Sequence, residues 1–198
     1  MTPTDGGLLG CAIDDTPVAV LDFETTGMSP GYDRVVEVSV VRIDPGGLAE
    51  LVFDTLVNPG RRVAATHVHG ITDRDVIDAP RFELIAGRLL QALAGSVVAA
   101  YNVYFDLPFL DFELRRAGVC YEFPHLCLMY LRPMLGIGVR CRLSAACRAH
   151  GIAHTLVHTA APDAVAAAGL WPVYRRAMAR RDVRTFGDLA VLKPYKFV

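Results

Sequence analysis

Two carboxylates one residue apart, Asp22 and Glu24, close the apolar run Val18-Ala19-Val20-Leu21. Side chains alternate faces along a strand, so both acids project to one side. Charges that close repel unless a cation lies between them. This strand end is therefore a candidate divalent-metal site, and the plain alternative is an exposed acidic end. Asp106 follows a second apolar run at residues 96–101, at or near a helix start, where the helix dipole favours a carboxylate. Taken alone it reads as a helix cap. His158 stands five positions before Asp163, which enters an Ala-rich helix; alone, these are a loop histidine and another capping acid. A long connection at residues 58–73 carries His67, His69, Gly70 and Asp73, and connections of that length are more often functional than idle.

The elements that must position these groups are readable from periodicity. Pro17–Phe23, Arg34–Ile43 and Leu48–Val57 read as strands, with Asp44-Pro45-Gly46-Gly47 a turn, which predicts an antiparallel three-stranded meander. Residues 61–80 read as irregular. Pro80 opens a predicted helix to Ala94, with Phe82, Ile85, Leu89 and Leu93 at helical spacing. Ser96–Tyr101 reads as a buried fourth strand, Asp106–Ala117 as a helix ended by Gly118, and Phe123–Met129 as a short fifth strand. Helices are predicted at Leu143–His150, Ala160–Arg181 and Thr185–Leu192, with Pro172 expected to kink or break the second. This order predicts an α/β fold with a mixed five-stranded sheet flanked by helices. Residues 1–16 lack any period and read as a flexible leader, and residues 17–198 as a single domain.

Composition bounds the function. The 198 residues are 53% hydrophobic, enough for a sizeable core. No apolar run reaches the ~18 residues of a membrane helix, which excludes a membrane role by that route. The N-terminus carries no charged-then-apolar secretory signal. Five cysteines, without a CxxC pair, read as reduced thiols and point to the cytoplasm. Net charge is −1, but residues 1–110 hold 7 Arg against 15 Asp and Glu, whereas residues 111–198 hold 13 Lys and Arg against 6. An acidic half suited to metal beside a basic half suited to phosphate is a layout compatible with a nuclease.

In order and context, Asp22, Glu24, Asp106, His158 and Asp163 resemble the DEDDh 3′–5′ exonucleases. That superfamily includes the proofreading epsilon subunit of DNA polymerase III, ribonuclease T and oligoribonuclease. Residues 22–27 (DFETTG) resemble its first motif, residues 102–110 (NVYFDLPFL) its second, and His158 with Asp163 its third in the His form. VHGITD at residues 68–73 is similar to a segment of the epsilon-like branch. The resemblance spans residues 17–180 and implies a ribonuclease H-like fold. It implies two Mg²⁺ or Mn²⁺ ions, about 3.5–4 Å apart in such centres, held by Asp22, Glu24, Asp106 and Asp163. His158 is the implied general base. Phe23, Thr25, Thr26, His69, Asn102 and Phe105 are the implied substrate contacts. The implied substrate is nucleic acid with a free 3′ end, with single-stranded DNA favoured, and the product a nucleoside 5′-monophosphate.

Two departures stand out. The second motif usually begins His-Asn, where this chain has Tyr101-Asn102, and residues 125–131 (HLCLMYL) lack the acid that often opens the next element. No long tail and no clamp-binding peptide are evident, so the expectation is a stand-alone exonuclease or a proofreading-like paralogue rather than a dedicated replisome subunit, with a polymerase or repair partner left open. Three rivals are weighed: an exoribonuclease, a non-catalytic binder of nucleic acid or polymerase, and a zinc site on His150, His154 and His158 at four-residue spacing. Gly151 directly after His150 speaks against the zinc helix.

Overall fold

In the computed structural model, which describes residues 10–121, 123–155 and 159–192, five strands form one sheet. They are β1 (Val18–Thr25), β2 (Val35–Ile43), β3 (Ala49–Leu56), β4 (Val97–Ala100) and β5 (His125–Cys127), in the order β3-β2-β1-β4-β5. β1, β2 and β3 pair antiparallel, and β4 and β5 join parallel to β1. The meander and the mixed sheet read from the sequence are thus present.

Helices cover both faces: α1 (Thr66–His69), α2 (Asp73–Val76), α3 (Phe82–Leu93), α4 (Val103–Arg116), α5 (Leu128–Met134), α6 (Leu143–His150), α7 (Ala160–Ala179) and α8 (Phe186–Leu192). No helix among the described residues is long and apolar enough to cross a membrane. Strand alternation divides the core. Val18 and Val20 of β1 pack with Leu170, Trp171 and Tyr174 of α7. Ala19, Leu21 and Phe23 pack on the opposite face with Phe82, Ile85 and Leu89 of α3 and Phe109 and Leu114 of α4. Each large side chain fully removed from water stabilises by about 1.5–3 kcal/mol. Buried Ala164, Ala166, Ala167 and Ala168 keep the first turns of α7 free of bulky side chains where it meets the core.

Several elements differ from expectation. Residues 61–80 contain the one-turn helices α1 and α2, and α2 opens with a capping box between Thr72 and Asp75. α4 begins at Val103, three residues earlier than expected, with Asp106 in its first turn. β5 is three residues long and gives way at once to α5. α7 is a single element containing Pro172. The proline costs the helix one hydrogen bond, while Leu170, Trp171 and Tyr174 beside it are all buried and hold the helix on the sheet. Residues 10–16, expected as part of a loose leader, are docked: Ile13 is buried, its N–H donates to the Arg184 carbonyl at 2.9 Å, and Asp14 pairs with Arg175 at 2.7 Å.

Candidate active site

The alternation that sends Phe23 into the core sends Asp22 and Glu24 toward α7, whose first turn carries Asp163. One carboxylate oxygen from each of Asp22, Glu24 and Asp163 lies within 4.8 Å of the others. Asp106 reaches the same place from α4. β4 ends at Ala100, so the upper part of β1 has no β4 residue beside it, and there the Phe23 N–H donates to Asp106 Oδ1 at 3.1 Å. Asp22, Glu24, Asp106 and Asp163 line one small cavity, which opens into a cleft of about 1500 Å³.

The carboxylates strain against one another. Burial first, then the charges of Asp106, Asp163, Glu24 and Glu37, raise the Asp22 carboxyl well above the usual carboxylate range. Glu24 is pushed up to about 8 by burial, then by Asp163, Glu37 and Asp106. Burial also raises Asp106, offset in part by the Phe23 N–H. An all-oxygen set of acids that repel one another when empty suits a hard divalent cation.

The 25–34 turn forms the adjoining wall. Thr25 Oγ donates to the Gly27 carbonyl at 2.5 Å, and Thr26 Oγ donates to Asp33 Oδ1 at 3.0 Å while accepting from the Arg34 N–H at 3.1 Å. Gly27 is required by close approach, because a Cβ there would stand 2.5 Å from Asp33 Oδ2. Arg34 fixes the turn to α4 through a bidentate pair with buried Glu113, at 2.6 and 2.7 Å. Both threonine hydroxyls are therefore spent inside the turn. Asn102 is exposed on the cleft and Phe105 half-buried in its wall. Phe23, expected near substrate, instead packs its ring in the core at 3% exposure, because it lies on the strand face opposite the acids. His69, expected as a base or phosphate contact, is 4% exposed and has both ring nitrogens engaged. The Ile71 N–H donates to Nδ1 at 3.1 Å, and Nε2 donates to the Thr25 carbonyl at 3.2 Å.

His158 lies outside the described residues. Two polar groups that sequence reasoning did not place here border the acids. His154 Nε2 donates to Asp163 Oδ1 at 2.8 Å, with the imidazole 7% exposed. Glu37 stands opposite Glu24 in the β1–β2 register, and its Oε2 accepts the Ala160 N–H at the start of α7 at 2.8 Å. A lone acid within the valine-rich β2 run was the available signal for Glu37. The zinc helix does not form. α6 stops at His150 because Gly151 turns left-handed at φ 68°, and His154 then lies in a loop facing Asp163. Among the described residues, Asp22, Glu24 and Asp163 are the grouping with metal-ligand proximity.

A family model described as "Exonuclease" matches residues 19–171. The chain belongs to the exonuclease family. It is 36% identical over 190 residues to a DNA polymerase III subunit epsilon-like protein of Rhodobacter capsulatus, covering 92% of this chain and 27% of that relative. It is 35% identical over 102 residues to the 3′-5′ exonuclease DinG of Bacillus subtilis, covering 50% of this chain and 11% of that one. It thus spans about a quarter of the first relative's length and less of the second's. The fold resembles Escherichia coli exonuclease I in complex with a dT13 oligonucleotide, with a TM-score of 0.71 at 18% identity, covering 84% of this chain and 42% of that one. Exonuclease I from Methylocaldum szegediense gives 0.69 at 20% identity, covering 84% and 41%. The mixed five-stranded sheet of this exonuclease-family chain is the ribonuclease H-like arrangement.

Proposed function

We propose that this chain is a divalent-metal-dependent 3′–5′ exonuclease that removes nucleoside 5′-monophosphates from nucleic acid, with single-stranded DNA the favoured substrate. The observation that carries the reading is the approach of Asp22, Glu24 and Asp163 within 4.8 Å at the floor of a cleft, with buried Asp106 beside them. Two Mg²⁺ or Mn²⁺ ions, when bound, supply neutralisation of the charge that grows on the phosphate and a lowered pKa for the attacking water. Asp22, Glu24 and Asp163 would hold one ion, and Asp22 and Asp106 the other.

The remaining work falls to the chain's own groups. Backbone around Thr25 and Thr26 receives the terminal sugar, since their hydroxyls are already engaged. Asn102 and Phe105 flank the terminal nucleotide from the cleft's other side. His158, in the family position, takes the proton from water, a role typically worth 10²–10⁴ in rate. The reduced-thiol composition supports a cytoplasmic setting, and a polymerase or repair protein is a candidate partner by likeness to the epsilon-like relative.

The test is a panel of 5′-labelled single-stranded DNA, duplex with a mismatched 3′ end, and RNA, each with Mg²⁺, Mn²⁺ or EDTA. Stepwise shortening and mononucleotide release, strongest on single-stranded DNA, abolished by EDTA and by Asp22→Ala, is expected. Metal-independent cleavage or full turnover by Asp22→Ala overturns the metal-site assignment.

A further inference from the structure

Between Glu122 and Asp163 the sequence contains no Asp or Glu: residues 123–162 hold four Arg and four His. This acid-free stretch supplies the cleft wall facing the 25–34 turn, where Val139, Arg140 and Arg142 line the opening. Both arginines are exposed, and neither meets a carboxylate among the described residues. The loop bearing them is anchored from behind. The Tyr101 hydroxyl donates to the Cys141 carbonyl at 2.7 Å, and buried Arg132 Nε donates to the Val139 carbonyl at 3.1 Å. Tyr101, the departure from the family's second motif, is thus a tie to this loop.

An aromatic row leads outward beside it. Tyr104, 47% exposed and two positions before Asp106, meets Tyr130 edge-on with ring centroids 5.5 Å apart. The Arg140 guanidinium lies 4.9 Å from the Tyr130 ring centroid. Cations held on aromatic rings, with further aromatic surface alongside, are the features that track single strands: phosphates meet the charges, and bases stack on rings and guanidinium planes.

We propose that Tyr104, Tyr130, Arg140 and Arg142 form the track for nucleotides 5′ of the terminal one, so that the enzyme grips several nucleotides of a single strand while the last sits at the acids. This rests on the exonuclease reading for its direction. The anchored loop presents the track with little ordering left to do on binding. A duplex end engages it only after fraying, which gives the enzyme its preference for unpaired termini.

Fluorescence anisotropy of 5′-labelled dT12 and dT3, in EDTA and across a salt series, tests the track without turnover. The double variant Arg140→Gln/Arg142→Gln is expected to bind dT12 at least about tenfold more weakly. Its log–log salt slope should be shallower by about 1.4, at about 0.7 for each single-strand phosphate that the arginines neutralise in the wild type. The weakening on dT3 is smaller. Tyr130→Ala weakens dT12 binding by about tenfold, and Tyr130→Phe retains it. Unchanged dT12 binding in both the double Arg variant and Tyr130→Ala, or equal weakening on dT3 and dT12, overturns the track. If the wild type binds dT12 tightly yet cleaves nothing with Mg²⁺ or Mn²⁺, the exonuclease reading fails while the binding surface stands.

Discussion

His154 holds Asp163 by one oxygen, Nε2 to Oδ1 at 2.8 Å, from a loop that begins where Gly151 ends the preceding helix. A carboxylate fixed at one oxygen has its plane fixed, and with it the direction of the other. A partner behind a metal-binding group typically contributes 10- to 100-fold in metal affinity. His154→Ala is therefore expected to weaken Mn²⁺ binding by about that factor in a calorimetric titration, and His154→Gln, which can place a donor near Nε2, to recover most of it. Mn²⁺ binding by His154→Ala equal to wild type would show that the bond is not used in the loaded site.

Glu24 provides a test by pH. Its carboxyl is raised to about 8 in the fold, by burial first, from an ordinary value of 4.5. The folded chain thus binds more protons there than the unfolded one, and this contribution to stability falls as pH rises between about 4.5 and 8. His69, lowered by burial, works in the opposite sense at lower pH, so the comparison must be between variants. Glu24→Gln is expected to raise the Tm of the metal-free protein at pH 8.5, on the order of 5 °C, and to leave it nearly unchanged at pH 5. Saturating Mg²⁺ should raise the wild type's Tm at pH 8.5 and remove the advantage of the variant. A Tm gain of equal size at both pH values would argue for an effect other than charge.

Asp22 and Glu24 were legible from strand alternation alone, whereas Asp106 and Asp163 were joined to them only by the resemblance of their motifs. Alternation along β1 places Asp22 and Glu24 on one side without knowledge of the rest, and Asp163 sits in the first turn of the helix packed on that side. Phe23 follows from the same alternation, and its place in the core was the reading that strand parity favours over a substrate contact. His154, Glu37 and the rings of Tyr104 and Tyr130 were not legible as site groups. Each acquires its role from a contact outside its own element: loop residue His154 with Asp163 of α7, Glu37 of β2 with Ala160 of α7 at 123 residues of separation, and Tyr104 of α4 with Tyr130 of α5. The start of α4 was misplaced because Asp106 looks like a cap, whereas the chain turns into the helix as β4 ends and leaves Asp106 to complete the hydrogen bonding of β1.

His69 braces the turn proposed above to receive the 3′ end. Nδ1 accepts the Ile71 N–H, so Nε2 carries the proton that goes to the Thr25 carbonyl. Burial lowers its pKa, which keeps the ring neutral in this arrangement. Its removal frees a carbonyl beside the acids without touching them. His69→Ala is expected to raise KM for single-stranded DNA roughly tenfold, the effect of about one hydrogen bond, with kcat changed less and the pH profile of kcat unmoved. A loss confined to kcat, or a vanished pH limb, would assign His69 to proton transfer instead.

Asp106 does two jobs that substitution can separate. Its Oδ1 accepts the Phe23 N–H at 3.1 Å, and its charge faces Asp22. Asn retains an oxygen for the first job and lacks the charge for the second, whereas Ala removes both. Both Asp106→Asn and Asp106→Ala are expected to abolish measurable hydrolysis with Mg²⁺. They should differ in stability, because only Ala leaves the buried Phe23 N–H without its acceptor, at a cost of about 1–3 kcal/mol. Asp106→Asn is then at least as stable as wild type without metal, relieved of repulsion from Asp22, and Asp106→Ala melts several degrees below Asp106→Asn. Equal melting temperatures for the two would mean that the Phe23 N–H finds another acceptor, and retained hydrolysis in Asp106→Asn would mean that the fourth carboxylate charge is dispensable.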